Sequence, residues 1–159
     1  MGLDSLVDTF KACYPDISFK QGNSFLWSPK DKTVYYTNKA TGQTSTWSLI
    51  HEVSHALLGH AVYESDFELL KIEVEAWDKA HEIAKYHKIN IDDDYIQDCI
   101  DTYRDWLYAR SSCPSCSHTN TQENPTRYRC FNCTTTWTVS ESRLCRPYRL
   151  TDRTNSLLV

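Results

Sequence analysis

Apolar residues recur at helical spacing in four stretches of the chain. Leu3, Leu6, Val7 and Phe10 mark the inner face of a short N-terminal helix. Trp47, Leu49, Ile50, Ala56, Leu57 and Leu58 supply the apolar bulk of a second, with Thr44, Ser45 and Thr46 as candidate N-caps and Gly59 as its C-terminal stop. A long third helix is expected from Ser65 to Lys88, ending near Asn90, with Leu69, Ala76, Trp77, Ala80, Ile83 and Ala84 on its apolar face. Asp92, Asp93 and Asp94 can cap a fourth, which runs to Ala109 with Tyr95, Ile96, Cys99, Ile100, Tyr103, Trp106 and Leu107 inside. Between the first two helices, 24–28 and 33–37 are rich in aromatic and β-branched residues. Pro29-Lys30-Asp31-Lys32 separates them, so a β-hairpin is predicted, with a loop over 38–43 leading into the second helix.

Composition changes this picture little. Of 159 residues, 40% are apolar and 13% aromatic, which is a foldable rather than a disordered balance. The stretch MGLDSLVDTFKACYPD has no basic start and no long apolar run, so a secretion signal is not expected. Leu6 breaks the myristoylation pattern after Gly2, and no run approaches the roughly 20 apolar residues of a membrane span. A soluble cytoplasmic protein with no membrane partner is expected. Charge is uneven: 111–159 holds six Arg against three acids, whereas 1–110 is acidic. That asymmetry suggests two units, divided near Ser111-Ser112.

The second helix carries candidate chemistry. His51-Glu52-Val53-Ser54-His55 is an H-E-x-x-H sequence. Positions i and i+4 share a helix face, so both imidazoles can bind one zinc, with Glu52 beside it as a base for water. A catalytic zinc needs a third protein ligand and an open position. His60 follows too late to share that face if the helix continues, and reads as a surface or turn residue. On the third helix, Glu73 falls in the middle of the apolar stripe and Glu75 on the opposite side. A carboxylate at the centre of a buried face needs a charge partner, which a zinc ion would supply. Glu73 is the expected third ligand, with Glu75 held in reserve.

These residues carry a resemblance. His51-Glu52-x-x-His55, followed 18 residues after the second His by Glu73-Val74-Glu75-Ala76, resembles the Glu-zincin metallopeptidases. Among them it is most similar to the ImmA/IrrE family, whose second helix carries Glu-x-x-Ala and then a further Ala. The similarity spans residues 20–90, and Trp77 and Lys79 depart from the family's pattern. It implies a zincin-like catalytic domain, with 34–36 as the edge strand beside a substrate cleft. It also implies hydrolysis of a restricted protein substrate. An oxyanion donor is expected, but Tyr63, His81, Tyr86, Tyr95 and Tyr103 cannot be separated from sequence; each reads first as a packing or surface residue, and none is assigned the role.

The C-terminal third has a separate signature. Cys113-Pro114-Ser115-Cys116 and Cys130-Phe131-Asn132-Cys133 have the spacing of a four-thiolate zinc site, with Tyr128, Phe131 and Trp137 nearby. A zinc ribbon is predicted; two disulfides are the alternative. Cys13 and Cys99 read as small apolar residues of helix interiors, and Cys145 as packing or as a thiol activated by Arg143 and Arg146. Arg127, Arg129, Arg143, Arg146 and Arg149, with Tyr128 and Tyr148, offer phosphate and base contacts. Docking of a protein or bracing of the fold are the other uses of such a ribbon. The two-part outline is also similar to SprT-like proteases.

Taken together, the chain is expected to be an α+β protein in two parts. A zincin-like metallopeptidase domain at 1–110, of a β-hairpin and three or four helices, precedes a four-cysteine zinc ribbon and tail at 111–159. Two zinc ions are expected, one catalytic and one structural. The ribbon would dock a substrate or partner. The competing class is a non-catalytic zinc-binding adaptor or nucleic-acid-associated module.

Overall fold

The computed structural model describes residues 2–39, 41–140 and 148–151. Its described residues form four helices and two small sheets, an α+β architecture. The chain gathers into two compact units, one of 1–62 with 71–96, the other of 63–70 with the residues from 97 onward. The start of one helix, 66–70 with the three residues before it, and most of another, 97–110, thus gather with the C-terminal third rather than with the rest of 1–110. Buried polar side chains from both pieces are built into the core of that second unit.

In the first unit, helix α1 (Leu3–Cys13) buries Leu6, Val7 and Phe10, as its apolar spacing dictates. Phe10 packs edge-on against His87 and stacks near Phe19. Cys13 is exposed rather than interior. Three strands follow: β1 (Ser18–Gln21), β2 (Leu26–Ser28) and β3 (Thr33–Tyr36). The predicted hairpin is β2 and β3, paired antiparallel with Trp27 opposite Val34. Strand β1 pairs with β3 in parallel, Ser18 opposite Thr33, so the sheet order is β1-β3-β2. Thr33 and Val34 are buried because β3 is central. The edge beside the H-E-x-x-H helix is thus β2, and the expectation that placed it at 34–36 is corrected.

Helix α2 (Gln43–Leu58) starts behind Gly42, which adopts φ 106° and provides no side-chain cap. Thr44, Ser45 and Thr46 lie inside the first turn, where they are not caps. Trp47, Leu49, Ile50 and Val53 form its apolar contribution to the core. Gly59 ends it in the left-handed conformation (φ 71°), the geometry that favours glycine. Helix α3 (Asp66–Tyr86) presents Leu69, Ala76, Trp77, Ala80, Ile83 and Ala84 as its buried stripe. It stops before Asn90, because Lys88 turns left-handed at φ 56°. Helix α4 (Asp93–Ser111) begins with Asp92 Oδ1 accepting the Asp94 amide at 3.0 Å, the cap that the acidic run promised.

The second unit contains an antiparallel sheet of β4 (Gln122–Asn124), β5 (Arg127–Arg129), β6 (Thr136–Val139) and β7 (Arg149–Thr151), in that order. Tyr128 and Trp137 stack at 5.5 Å in its core, with Val139, Cys113 and Cys130. Phe131 is 79% exposed and is not part of that core. Among the described residues, no helix is long and apolar enough to cross a membrane. Cys145, Arg143 and Arg146 lie outside the described residues.

Candidate metal centres

Helix α2 carries His51 and His55 on its inner face, and helix α3 brings Glu73 from the centre of its buried stripe. All three are buried. The Nε2 atoms of His51 and His55 are 3.0 Å apart, and Glu73 Oε2 lies 3.2 Å from the first and 3.7 Å from the second. A tetrahedral zinc with ~2.0–2.1 Å bonds sets its ligand atoms roughly 3.3 Å apart. The three atoms match one face of that tetrahedron, so the donor set fits zinc. Burial alone would raise the pKa of Glu73. Hydrogen bonds and charge from His51 and His55 outweigh it and hold the carboxyl well below the usual range. Glu73 is therefore an anion among imidazoles, a state suited to a cation.

The surroundings orient each group. The Trp77 ring stacks on His51 at 4.1 Å, and Trp77 in turn meets Tyr95 edge-on. Nδ1 of His51 is buried with no hydrogen-bond partner among the described residues. Glu52, next along α2, accepts the main-chain N–H of Trp27 on β2 at 2.7 Å. The Trp27 indole N–H donates to the carbonyl of His60 at 2.8 Å. Edge strand, candidate base and the end of α2 are thus joined through one residue.

His60 is the functional candidate that sequence reasoning misses. Its Nδ1 lies 2.9 Å from Nδ1 of His55, and its Nε2 lies 3.5 Å from Glu75 Oε2. Glu75 itself is half-exposed and stands outside the metal-ligating trio of His51, His55 and Glu73. Burial and the neighbouring His55 lower the pKa of His60, against the opposing charge of Glu75. The available signal is Gly59: a left-handed stop reverses the chain, so a helix phase cannot be projected past it.

The second cluster is built from two knuckles of matching shape. Ser117 N–H returns to the Cys113 carbonyl and Thr134 N–H to that of Cys130, at 2.9 and 3.0 Å. Ser117 and Thr134 both adopt positive φ, 63° and 62°, to close these turns. Amides of Ser115 and Cys133 donate to the sulfurs of Cys113 and Cys130. Across the knuckles, Cys113 and Cys133 sulfurs are 3.6 Å apart and those of Cys116 and Cys130 3.5 Å. Those separations approach the about 3.8 Å between thiolates on one zinc. They are far beyond the ~2.05 Å of a disulfide. The Thr135 hydroxyl and amide lower the Cys133 thiol to about 6, while burial pushes Cys113 up to about 11. The four-cysteine set, like the His51-His55-Glu73 set, can hold a metal ion.

Of the expected nucleic-acid contacts, Tyr128 is buried in the core and its ring is not available to stack on a base. Arg127 and Arg129 lie 3.6 and 3.9 Å from Glu123, and Arg149 donates to the Ser112 carbonyl. Tyr148 is exposed. No protein-family model, curated protein or solved structure matches this chain.

Proposed function

We propose that the chain is a zinc metallopeptidase, with a zincin-like catalytic unit and a structural zinc ribbon. The single observation that carries this reading is the triangle of His51, His55 and Glu73, with Glu52 next to His51 along the helix and its carboxylate held by the Trp27 amide. A zinc ion held by the three would supply a Lewis acid that acidifies water and polarises a peptide carbonyl. Glu52 takes the proton of the attacking water and delivers it to the leaving amine. The Trp27 amide holds one oxygen of that carboxylate, which leaves the other to exchange the proton. A structural zinc site would gain nothing from a carboxylate so placed.

A protein or peptide substrate follows from the edge strand. Trp27 directs its N–H away from β3 and toward Glu52, so the outer side of β2 borders the site. An extended peptide added to that edge would bring its main chain to the base. The ribbon is read as a docking or bracing element. Burial of Tyr128 takes one aromatic ring out of the surface that a nucleic acid would need. Thiols poised for zinc rather than disulfides suit a reducing cytoplasm.

The test is a diverse peptide library incubated with two-zinc protein and read by mass spectrometry. Wild type is expected to cut a restricted set, and Glu52→Gln, with both zincs retained, to cut none. Equal products from the two proteins, or no product from zinc-loaded wild type, would overturn the enzyme reading in favour of a binding module.

A further inference from the structure

His60 makes contacts that a turn residue does not need. Gly59 and His60 amides return to the carbonyls of Ala56 and His55, at 3.2 and 3.0 Å, which closes α2 and folds His60 back over its last turn. The Trp27 indole then fixes the His60 carbonyl. The imidazole is held with its Nδ1 2.9 Å from Nδ1 of His55, its side chain only 11% exposed. Two imidazole nitrogens at that distance require one donor and one acceptor. The ring of His55 decides which is which. With its Nε2 in the ligand triangle, a metal there would take that lone pair, so the proton of His55 would sit on Nδ1 and be donated to His60. His60 would then accept at Nδ1 and carry its own proton on Nε2, the atom that faces Glu75 at 3.5 Å.

We propose that His60, backed by Glu75, is a positioning residue that fixes the tautomer and ring orientation of His55 as a metal ligand. This rests on the reading of the triangle as a zinc site. Ligating histidines are commonly oriented by an outer acceptor on the second ring nitrogen. Here that acceptor is another histidine, carried on the turn that ends the ligand's own helix. The two ligands are oriented by unlike means. His51 is clamped by the face of Trp77, whereas His55 is held by a directional hydrogen bond. Loss of His60 consequently acts on one ligand and leaves the other in place.

The test uses the full chain with its ribbon loaded. Affinity for the second zinc is measured by competition with a chromophoric chelator, and cobalt substitution reports the ligand field. His60→Leu is expected to weaken the second zinc about 10–100-fold and to shift the cobalt bands. His60→Asn, whose amide oxygen can accept the His55 proton, should recover most of that loss. Glu75→Gln should give a smaller loss in the same direction. Because Glu75 is half-exposed, that variant keeps the test decisive if His60→Leu fails to fold. Melting temperatures of the ribbon-loaded proteins without the second zinc separate a folding defect from a binding one. Wild-type affinity and spectrum in His60→Leu, equal losses in the Leu and Asn variants, or no change in Glu75→Gln would overturn the proposal. A wild type that binds one zinc would instead overturn the zinc-site reading beneath it.

Discussion

Arg110 and Asp66, 44 residues apart, form a buried two-pronged ion pair: Arg110 Nε lies 2.6 Å from Asp66 Oδ2 and Nη2 3.2 Å from Oδ1. The Arg110 guanidinium also donates to the carbonyls of Pro125 and Ser140, and its side chain is 2% exposed. Its own carbonyl accepts the indole N–H of Trp137 at 2.9 Å. Every nitrogen of this guanidinium therefore has a partner. Removing one side leaves the other charge buried alone, which costs about 3–5 kcal/mol. Asp66→Ala should lower the unfolding free energy of the zinc-loaded second unit by that amount in urea titrations. Arg110→Lys, which keeps the charge and loses the fork, should fall between it and wild type.

The Tyr128 hydroxyl donates to Asp66 at the same junction. Burial first, then the bond to and charge of Asp66, raise its pKa above the ordinary tyrosine value. A raised pKa means that the folded state holds the proton more tightly than the unfolded one. The associated stability is intact below the ordinary value of about 10 and is lost as pH rises above it. Tyr128→Phe should remove that part of the alkaline slope when denaturant midpoints are compared from about pH 9 to 11.

Metal content should separate the two clusters. Wild type is expected to hold two zincs per chain by elemental analysis. Glu73→Ala should hold one, because two imidazoles alone leave the triangle open. Two firmly held zincs in that variant would mean that Glu73 is not a ligand.

Cys130→Ser should act on the ribbon instead. In a unit with so small an apolar core, a zinc ion held by the four cysteines would supply much of the folding energy, on the order of 10–16 kcal/mol for structural zinc. The variant should lose the protection of Trp137 from solvent, seen as a red-shifted emission and early proteolysis within 112–140. Helices of the first unit should persist by circular dichroism.

Much of this is legible in the sequence because it depends on local periodicity. The H-E-x-x-H spacing places His51 and His55 on one face, and the phase of 69–84 separates buried Glu73 from half-exposed Glu75. The Cys spacing likewise brings four sulfurs together. What escapes depends on the chain reversing or on distant partners. His60 needs the left-handed turn at Gly59. Strand β1 needs a parallel neighbour fifteen residues on, and Ser18-Phe19-Lys20-Gln21 has too little apolar alternation to announce it. Nothing local marks Asp66 or Arg110 for burial, since each is the other's reason for being inside. Tyr128 sits among arginines in sequence, although strand alternation turns its ring the opposite way to Arg127 and Arg129.

The amide of Trp27 has a consequence for how the site tolerates change. The group that steadies Glu52 belongs to the main chain, so every residue type at position 27 supplies it except proline. The indole contact to His60 has no such insurance and disappears with any other side chain. Sequence drift at this one position would therefore spare the carboxylate while freeing the His60 carbonyl, with the turn itself still closed by its own amides. The strand's backbone is preserved by geometry, and only its side chain is left exposed to selection.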